Sequence, residues 1–286
     1  MLDLVIHPKT SERLEDFLAN PAHAILLSAP VGSGKAAISH YLAMRLLGLQ
    51  TDDFSNQPYI RLIRSDDGKA IGIDTIRELE HFLSLKVPGE RQIDRVVIVE
   101  DAHLLTTEAQ NALLKTLEEP PAATVLIMTT EQDQALLPTV RSRMQAVALV
   151  RPTKLQLQEH FQQLGHAEQA ISQTYTVSGG LPGLMQSLLT DSEHPLNEAT
   201  IYARQLLQLS RYERLTLVDM LAKQRRLAQD TCFILQQMAH VSLQTTTTAA
   251  SDRWKYVLSS SYEASEQLAG NAQPKLVLIN LMLKLS

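Results

Sequence analysis

The 286 residues contain a single cysteine, Cys232. One thiol can close no disulfide within the chain and cannot assemble a Cys-based zinc site, so neither a disulfide framework nor zinc is expected. Basic residues are also in short supply: 26 Lys and Arg against 31 Asp and Glu leave a net charge of −5. That balance excludes a protein that grips nucleic acid by sheer basicity, and any DNA contact has to come from a local patch or from helix N-termini. No run approaches the roughly 20 apolar residues of a membrane span. The first residues, MLDLVIHPKTSERLEDF, carry charges and a proline where a signal peptide has its apolar core. The expectation is a reduced, cytoplasmic protein without a membrane partner. A hydrophobic share of 44% and a charged share of 20% are ordinary for a globular chain, and the length accommodates two or three domains.

The most informative stretch that is present runs from Val96 to Pro121. Val96 to Val99 is an uninterrupted β-branched run, suited to a central strand of a parallel sheet buried on both faces. Glu100 and Asp101 follow at once, at the carboxyl end of that strand, the edge where open α/β sheets bind their ligands. Thr107 and Gln110 read as a capping box that starts a helix, and Pro120 with Pro121 ends it. Strand, acidic pair and capped helix together form a Walker B pattern: one carboxylate holds the magnesium of a bound nucleotide and its neighbour orients the attacking water.

Upstream, Ala24 to Ser28 reads as a second buried strand, followed by Ala29-Pro-Val-Gly-Ser-Gly-Lys-Ala36 and a helix through about Leu47. This is the setting of a phosphate-binding loop. Gly32, Ser33 and Gly34 let backbone N–H groups face phosphate oxygens, the helix dipole adds to them, and Lys35 neutralises charge. Two positions depart from the pattern: Ala29 stands where the first glycine belongs, and Ala36 where a hydroxyl would hold magnesium. A lost glycine is tolerated where the backbone angles are ordinary; a lost hydroxyl removes a metal ligand. The reading is a nucleotide cradle with damaged metal chemistry. ATP binding is left open, with Lys35 in favour and Ala29 and Ala36 against.

The remaining segments follow from periodicity. Ser11 to Leu18 reads as an amphipathic helix, residues 48–58 as a polar connector, Tyr59 to Arg64 as a strand and Ser65 to Gly68 as a turn. Asp74 is the expected N-cap of a helix bearing Ile76, Leu79 and Leu83 on one face, with Arg77 and Glu78 in solvent. Ala123 to Met128 is the next buried strand, with Thr129, Thr130 and Glu131 at its end. Arg141 and Arg143 follow. From Arg151 the pattern is all helical: Thr153 caps a helix carrying Leu155, Leu157 and Phe161, a second runs from about Ala167 to Val177, and the Ser178 to Gly183 segment precedes a third. Asp191 to Pro195 is a polar linker. Amphipathic helices continue to Ser286, with a loop at Thr245 to Thr248 and the Arg225-Arg226 pair on the surface.

The phrase Asn111-Ala-Leu-Leu-Lys-Thr-Leu-Glu-Glu-Pro-Pro121 closely resembles the same segment in the AAA+ subunits of DNA clamp loaders, and Ile71-Gly-Ile-Asp-Thr-Ile-Arg-Glu-Leu79 resembles a second phrase of that family. The resemblance implies an α/β AAA+ P-loop domain over 1–150, a three-helix lid over 151–192 and a helical collar over 193–286 that joins subunits in a ring. It implies that Thr129 or Thr130 fills the sensor 1 position. It also identifies Ser142-Arg143-Met144 with the family's serine-arginine-cysteine element, whose arginine enters the ATP site of the neighbouring subunit. A planar guanidinium there binds γ-phosphate oxygens and stabilises the charge that develops in transfer. Arg141 either assists or meets solvent.

Three departures decide the kind of subunit. Ala36 lacks the hydroxyl, Glu100-Asp101 reverses the usual Asp-Glu order, and Leu181 to Leu184 carries no sensor 2 arginine. Each weakens hydrolysis, and several together leave little turnover. A subunit with silent catalysis and a retained finger resembles the delta prime kind found in bacterial DNA polymerase III clamp loaders. The implied partners are motor and delta-type subunits, the sliding clamp, and primed DNA through the assembly. The implied site is Gly32, Ser33, Gly34, Lys35, Glu100, Asp101 and Thr130 for nucleotide, with magnesium only alongside it, and Arg143 as a finger acting in trans. An ATP-hydrolysing motor subunit of the same loader, and a free-standing P-loop ATPase or nucleotide kinase, are the alternatives.

Overall fold

A computed structural model describes residues 5–50, 54, 57–65, 68–85, 92–190, 192–245, 248–270 and 272–285. The chain divides into two compact units, Met1–Arg151 and Pro152–Ser286.

The first unit runs α1 (Pro8–Ala19), β1 (Ala24–Ser28), α2 (Lys35–Leu47), β2 (Ile60–Ile63), α3 (Ile73–Ser84), β3 (Arg95–Val99), α4 (Thr107–Glu118), β4 (Thr124–Thr130), α5 (Pro138–Arg141) and β5 (Gln145–Ala148). All five strands are parallel, in the order β2-β3-β4-β1-β5. The apolar strands are buried on both faces because their alternating residues feed two cores. Ile25, Leu27, Val96, Ile98 and Ile127 meet Leu14 and Phe17 of α1 and Ile38 and Leu42 of α2. Leu26, Val97, Val99, Leu126 and Met128 meet Ile76 and Leu79 of α3 and Leu113 and Leu117 of α4. The result is a three-layer α/β/α unit. Its strand order places β4 between the strand that leads into the glycine loop and the strand that leads to Glu100.

Several local expectations shift. The N-cap of α4 is Thr106, whose hydroxyl accepts from the Ala109 amide, and not Thr107. Gln110 therefore closes no capping box. Its side chain is buried and donates to the carbonyls of Leu105 and Ala135, each at 3.1 Å, while accepting from the Leu137 amide at 2.7 Å. Gly72, in extended backbone, caps α3, and Asp74 sits inside the first turn paired with Arg77. Helix α1 starts at Pro8, three residues early, because a proline suits the first helical position and His7 caps it. Thr129 and Thr130 lie inside β4 and not beyond its end. Part of the expected 48–58 connector and of the Ser65–Gly68 turn lies outside the described residues.

The second unit is all helical: α6 (Lys154–Gln163), α7 (Glu168–Ser178), α8 (Pro182–Thr190), α9 (Asn197–Gln208), α10 (Arg211–Leu221), α11 (Arg225–Thr245), α12 (Thr248–Ala269) and α13 (Pro274–Lys284). Thr153 closes a true capping box with Gln156 at the start of α6. Leu155 is exposed, whereas Leu157 and Phe161 are buried. Helices α11 and α12 are antiparallel: Arg225 donates to the carbonyls of Leu268 and Gly270, and eleven residues on Gln236 donates to Ser261. Arg225 is therefore not a free surface residue. Its guanidinium caps the C-terminal end of α12, where helix carbonyls lack partners.

Candidate functional site

The carboxyl ends of β1, β3 and β4 converge on one edge of the sheet. From β1 the chain passes through Ala29, whose amide still donates to the Thr130 carbonyl at 3.1 Å. Ala29 has no positive φ, so the missing glycine carries no backbone strain there. The glycines that remain are where left-handed backbone is required: φ is 80° at Gly32 and 86° at Gly34. Gly34 is the N-cap of α2 and supplies no side-chain cap, leaving the first amides of that helix without a side-chain partner from the cap position. The Ser33 hydroxyl is buried and unpartnered among the described residues.

Lys35, the first residue of α2, is only 7% exposed. Its ammonium turns back on the loop and donates to the Pro30 carbonyl at 3.2 Å. Burial pushes its pKa below the ordinary lysine value, and the carboxylates of Glu131 and Asp101 act in the opposite direction. Loop, lysine and two acidic groups are thus assembled at one edge.

The acidic pair divides. His40 Nε2, one turn into α2, donates to Glu100 Oε1 at 2.9 Å, and the imidazole packs edge-on against Phe54 with ring centres 5.0 Å apart. Asp101 adopts left-handed backbone (φ 51°, ψ 49°), which Asp tolerates better than most residues, and its amide donates to Thr129 Oγ1 at 3.1 Å. Of the two threonines, Thr129 therefore faces the acidic residue, whereas the Thr130 hydroxyl is closed on Gln132, donating to its carbonyl and accepting from its amide. Ala36 supplies no side-chain oxygen to this edge, and Glu100 is engaged by His40.

Arg143 lies apart from the cradle, just past α5. Its Nη2 pairs with Glu118 Oε1 at 2.7 Å and its Nη1 donates to the Thr139 carbonyl at 2.9 Å. Its side chain is 35% exposed. Arg141 differs, with a buried Nε that has no partner among the described residues. Met144, at the position of the family's cysteine, packs into the core of α3 and α4.

Sequence reasoning passed over His40 and His103 and gave Glu118 and Glu131 no role. Glu118 was visible inside the Asn111–Pro121 phrase, but its partner is set by the turn after α5. His40 carried no signal, since its contact with Glu100 spans sixty residues.

The model of the family described as DNA polymerase III, delta subunit matches residues 6–153. The chain is 33% identical to DNA polymerase III subunit delta' of Escherichia coli over 147 residues, covering 46% of this chain and 43% of that one. Against the subunit delta' of Pseudomonas aeruginosa it is 31% identical over 195 residues, 59% of this chain and 56% of the relative. A replication factor C small subunit from Halobacterium salinarum is 26% identical over 212 residues, 70% and 63% of the two chains. The chain thus spans between 43% and 63% of the length of these relatives. In fold it is similar to a DNA polymerase III gamma subunit-related protein of Thermotoga maritima (TM-score 0.51, 20% identity, 95% and 96% coverage). It is likewise similar to the RuvB Holliday junction branch migration motor of that organism (TM-score 0.50, 17% identity, 96% and 89% coverage). With that family model matching more than half of its residues, and with a parallel α/β domain followed by helices, the chain belongs to the DNA polymerase III, delta subunit family.

Proposed function

We propose that the chain is a delta prime-like subunit of a bacterial DNA polymerase III clamp loader. It assembles with motor and delta-type subunits in the cytoplasm and helps place the sliding clamp on primed DNA. Its own cradle, from Gly32 to Lys35, is a nucleotide site or a relic of one, without effective hydrolysis. Residues 151–192 act as lid and 193–286 as collar. The described residues contain no helix long and apolar enough to cross a membrane.

The observation that carries this reading is a contrast within one domain. The groups that would serve its own ATP are missing or engaged, since Ala36 has no hydroxyl and Glu100 is bound by His40. Arg143 meanwhile is partly exposed, paired among the described residues with an exposed carboxylate and one carbonyl. Such a guanidinium is free to stabilise phosphoryl charge on another subunit, a contribution of about a thousandfold or more in turnover.

The test is ATPase activity of the chain alone and of the assembled loader with wild type and Arg143→Ala. The chain alone should be inactive, and Arg143→Ala should abolish the share of turnover that arises at the adjoining site and depress clamp loading. Unchanged activity of the assembled variant would sink the finger role. Magnesium-dependent turnover by the isolated chain would make it a motor, the reading to which Lys35 and the two left-handed glycines otherwise lend support.

A further inference from the structure

Strands β3 and β4 are parallel neighbours with Val99 opposite Met128, so the residues after each strand leave the sheet side by side. Asp101 and His103 follow β3, His103 within a short 3₁₀ turn at Ala102–Leu104, and Glu131 follows β4 directly. Each offers one ligand atom, and the three atoms lie within 4.8 Å of one another. All three residues are half-buried. His103 Nδ1 is buried with no hydrogen-bond partner among the described residues. A buried ring nitrogen in that condition has room for a partner, water or ion; His23 Nε2 and His160 Nε2 share it, but His103 alone stands beside two carboxylates. The charges point the same way: two carboxylates face one ammonium, that of Lys35.

We propose that Asp101, His103 and Glu131 form a binding site for a divalent first-row transition ion, of which zinc is the representative, and that the ion binds without nucleotide. One imidazole and two carboxylates are a donor set that zinc, cobalt and manganese accept, whereas magnesium prefers oxygen ligands and retains its water. Three protein ligands leave a fourth position for solvent. Ligand atoms around tetrahedral zinc lie roughly 3.3–3.5 Å apart, so side-chain torsions at half-exposed positions have to draw the three groups together on binding. The site shares Asp101 with the Walker B pair but uses neither a hydroxyl at position 36 nor Glu100. It stands whether or not the clamp-loader reading does.

The experiment is calorimetric titration of the full chain, stripped with chelator and free of nucleotide, with zinc chloride, paralleled by thermal melting. One zinc per chain and a rise in Tm are expected. His103→Gln and Glu131→Gln should each weaken zinc binding by about tenfold or more, and millimolar magnesium should not compete. Absence of saturable one-to-one binding would overturn the proposal. So would unchanged affinity in both variants, which would place the zinc on other histidines, and so would displacement by magnesium. Circular dichroism checks each variant; if His103→Gln does not fold, Glu131→Gln decides by the same criterion.

Discussion

Gln110 is the side chain whose removal should tell most about how the first unit is held. It ties the start of α4 to the segment that leads to Arg143, through two donated bonds to Leu105 and Ala135 and one accepted from Leu137. Replacement by methionine keeps the length and removes all three. Each bond is worth about 1 kcal/mol net, and the Leu137 amide is then left without its acceptor, so a loss of about 3 kcal/mol is expected. With a urea dependence of about 2 kcal/mol per molar, the unfolding midpoint falls by about 1.5 M. Gln110→Glu separates geometry from charge. It keeps the acceptor for Leu137 but sets a carboxylate against two carbonyls, so at pH 7 it should lose more than Gln110→Met and recover partly on acidification, when the protonated acid can donate. Urea unfolding followed by far-ultraviolet circular dichroism reads both variants. A loss below about 1 kcal/mol for Gln110→Met would refute the reasoning, because it would mean that water already satisfies the three backbone groups.

Further predictions concern buried polar and ionisable groups. Lys35 has a folded-state pKa below its ordinary value because it is buried. The unfolded chain therefore holds more protons just below pH 10.5, and stability gained from this group rises with pH through that window. Lys35→Met should accordingly raise Tm at pH 7, with the advantage shrinking as the pH approaches 10.5. The Arg95 guanidinium donates to the carbonyls of Phe82, Leu83 and Leu85 at 3.1, 2.7 and 2.5 Å, closing the end of α3. Arg95→Met should destabilise by about 2–4 kcal/mol, read as a lower urea midpoint, since it strips three carbonyls of a charged donor. Burial pushes the Cys232 thiol up to about 12. A thiol-specific chromogenic reagent should leave it unreacted in the native chain and label it fully in denaturant.

The parts of the fold legible in the sequence were those written in local chemistry. Val96 to Val99 could only be a strand buried on both faces, and the left-handed backbone at Gly32 and Gly34 is what those glycines are for. The parts that escaped depend on partners distant in sequence. Thr107 with Gln110 read as a capping box, but the cap is Thr106, and the Gln110 side chain is held by Ala135 and Leu137 across the fold. Arg225 looked like solvent-facing charge until α12 returned to lay its last carbonyls beside it. In the candidate site, the reversed acidic pair was visible, but not that its members face different ways, Glu100 toward α2 and Asp101 toward β4.

Helix α4 touches both halves of the site. Its N-cap, Thr106, lies five residues after Asp101, and its last residue, Glu118, holds Arg143. Twelve helical residues make a rod of about 18 Å. A rod that is packed on the sheet through Ala109, Leu113 and Leu117 transmits displacement without absorbing it. One rigid element thus runs from the acidic edge of the sheet to the partner of Arg143.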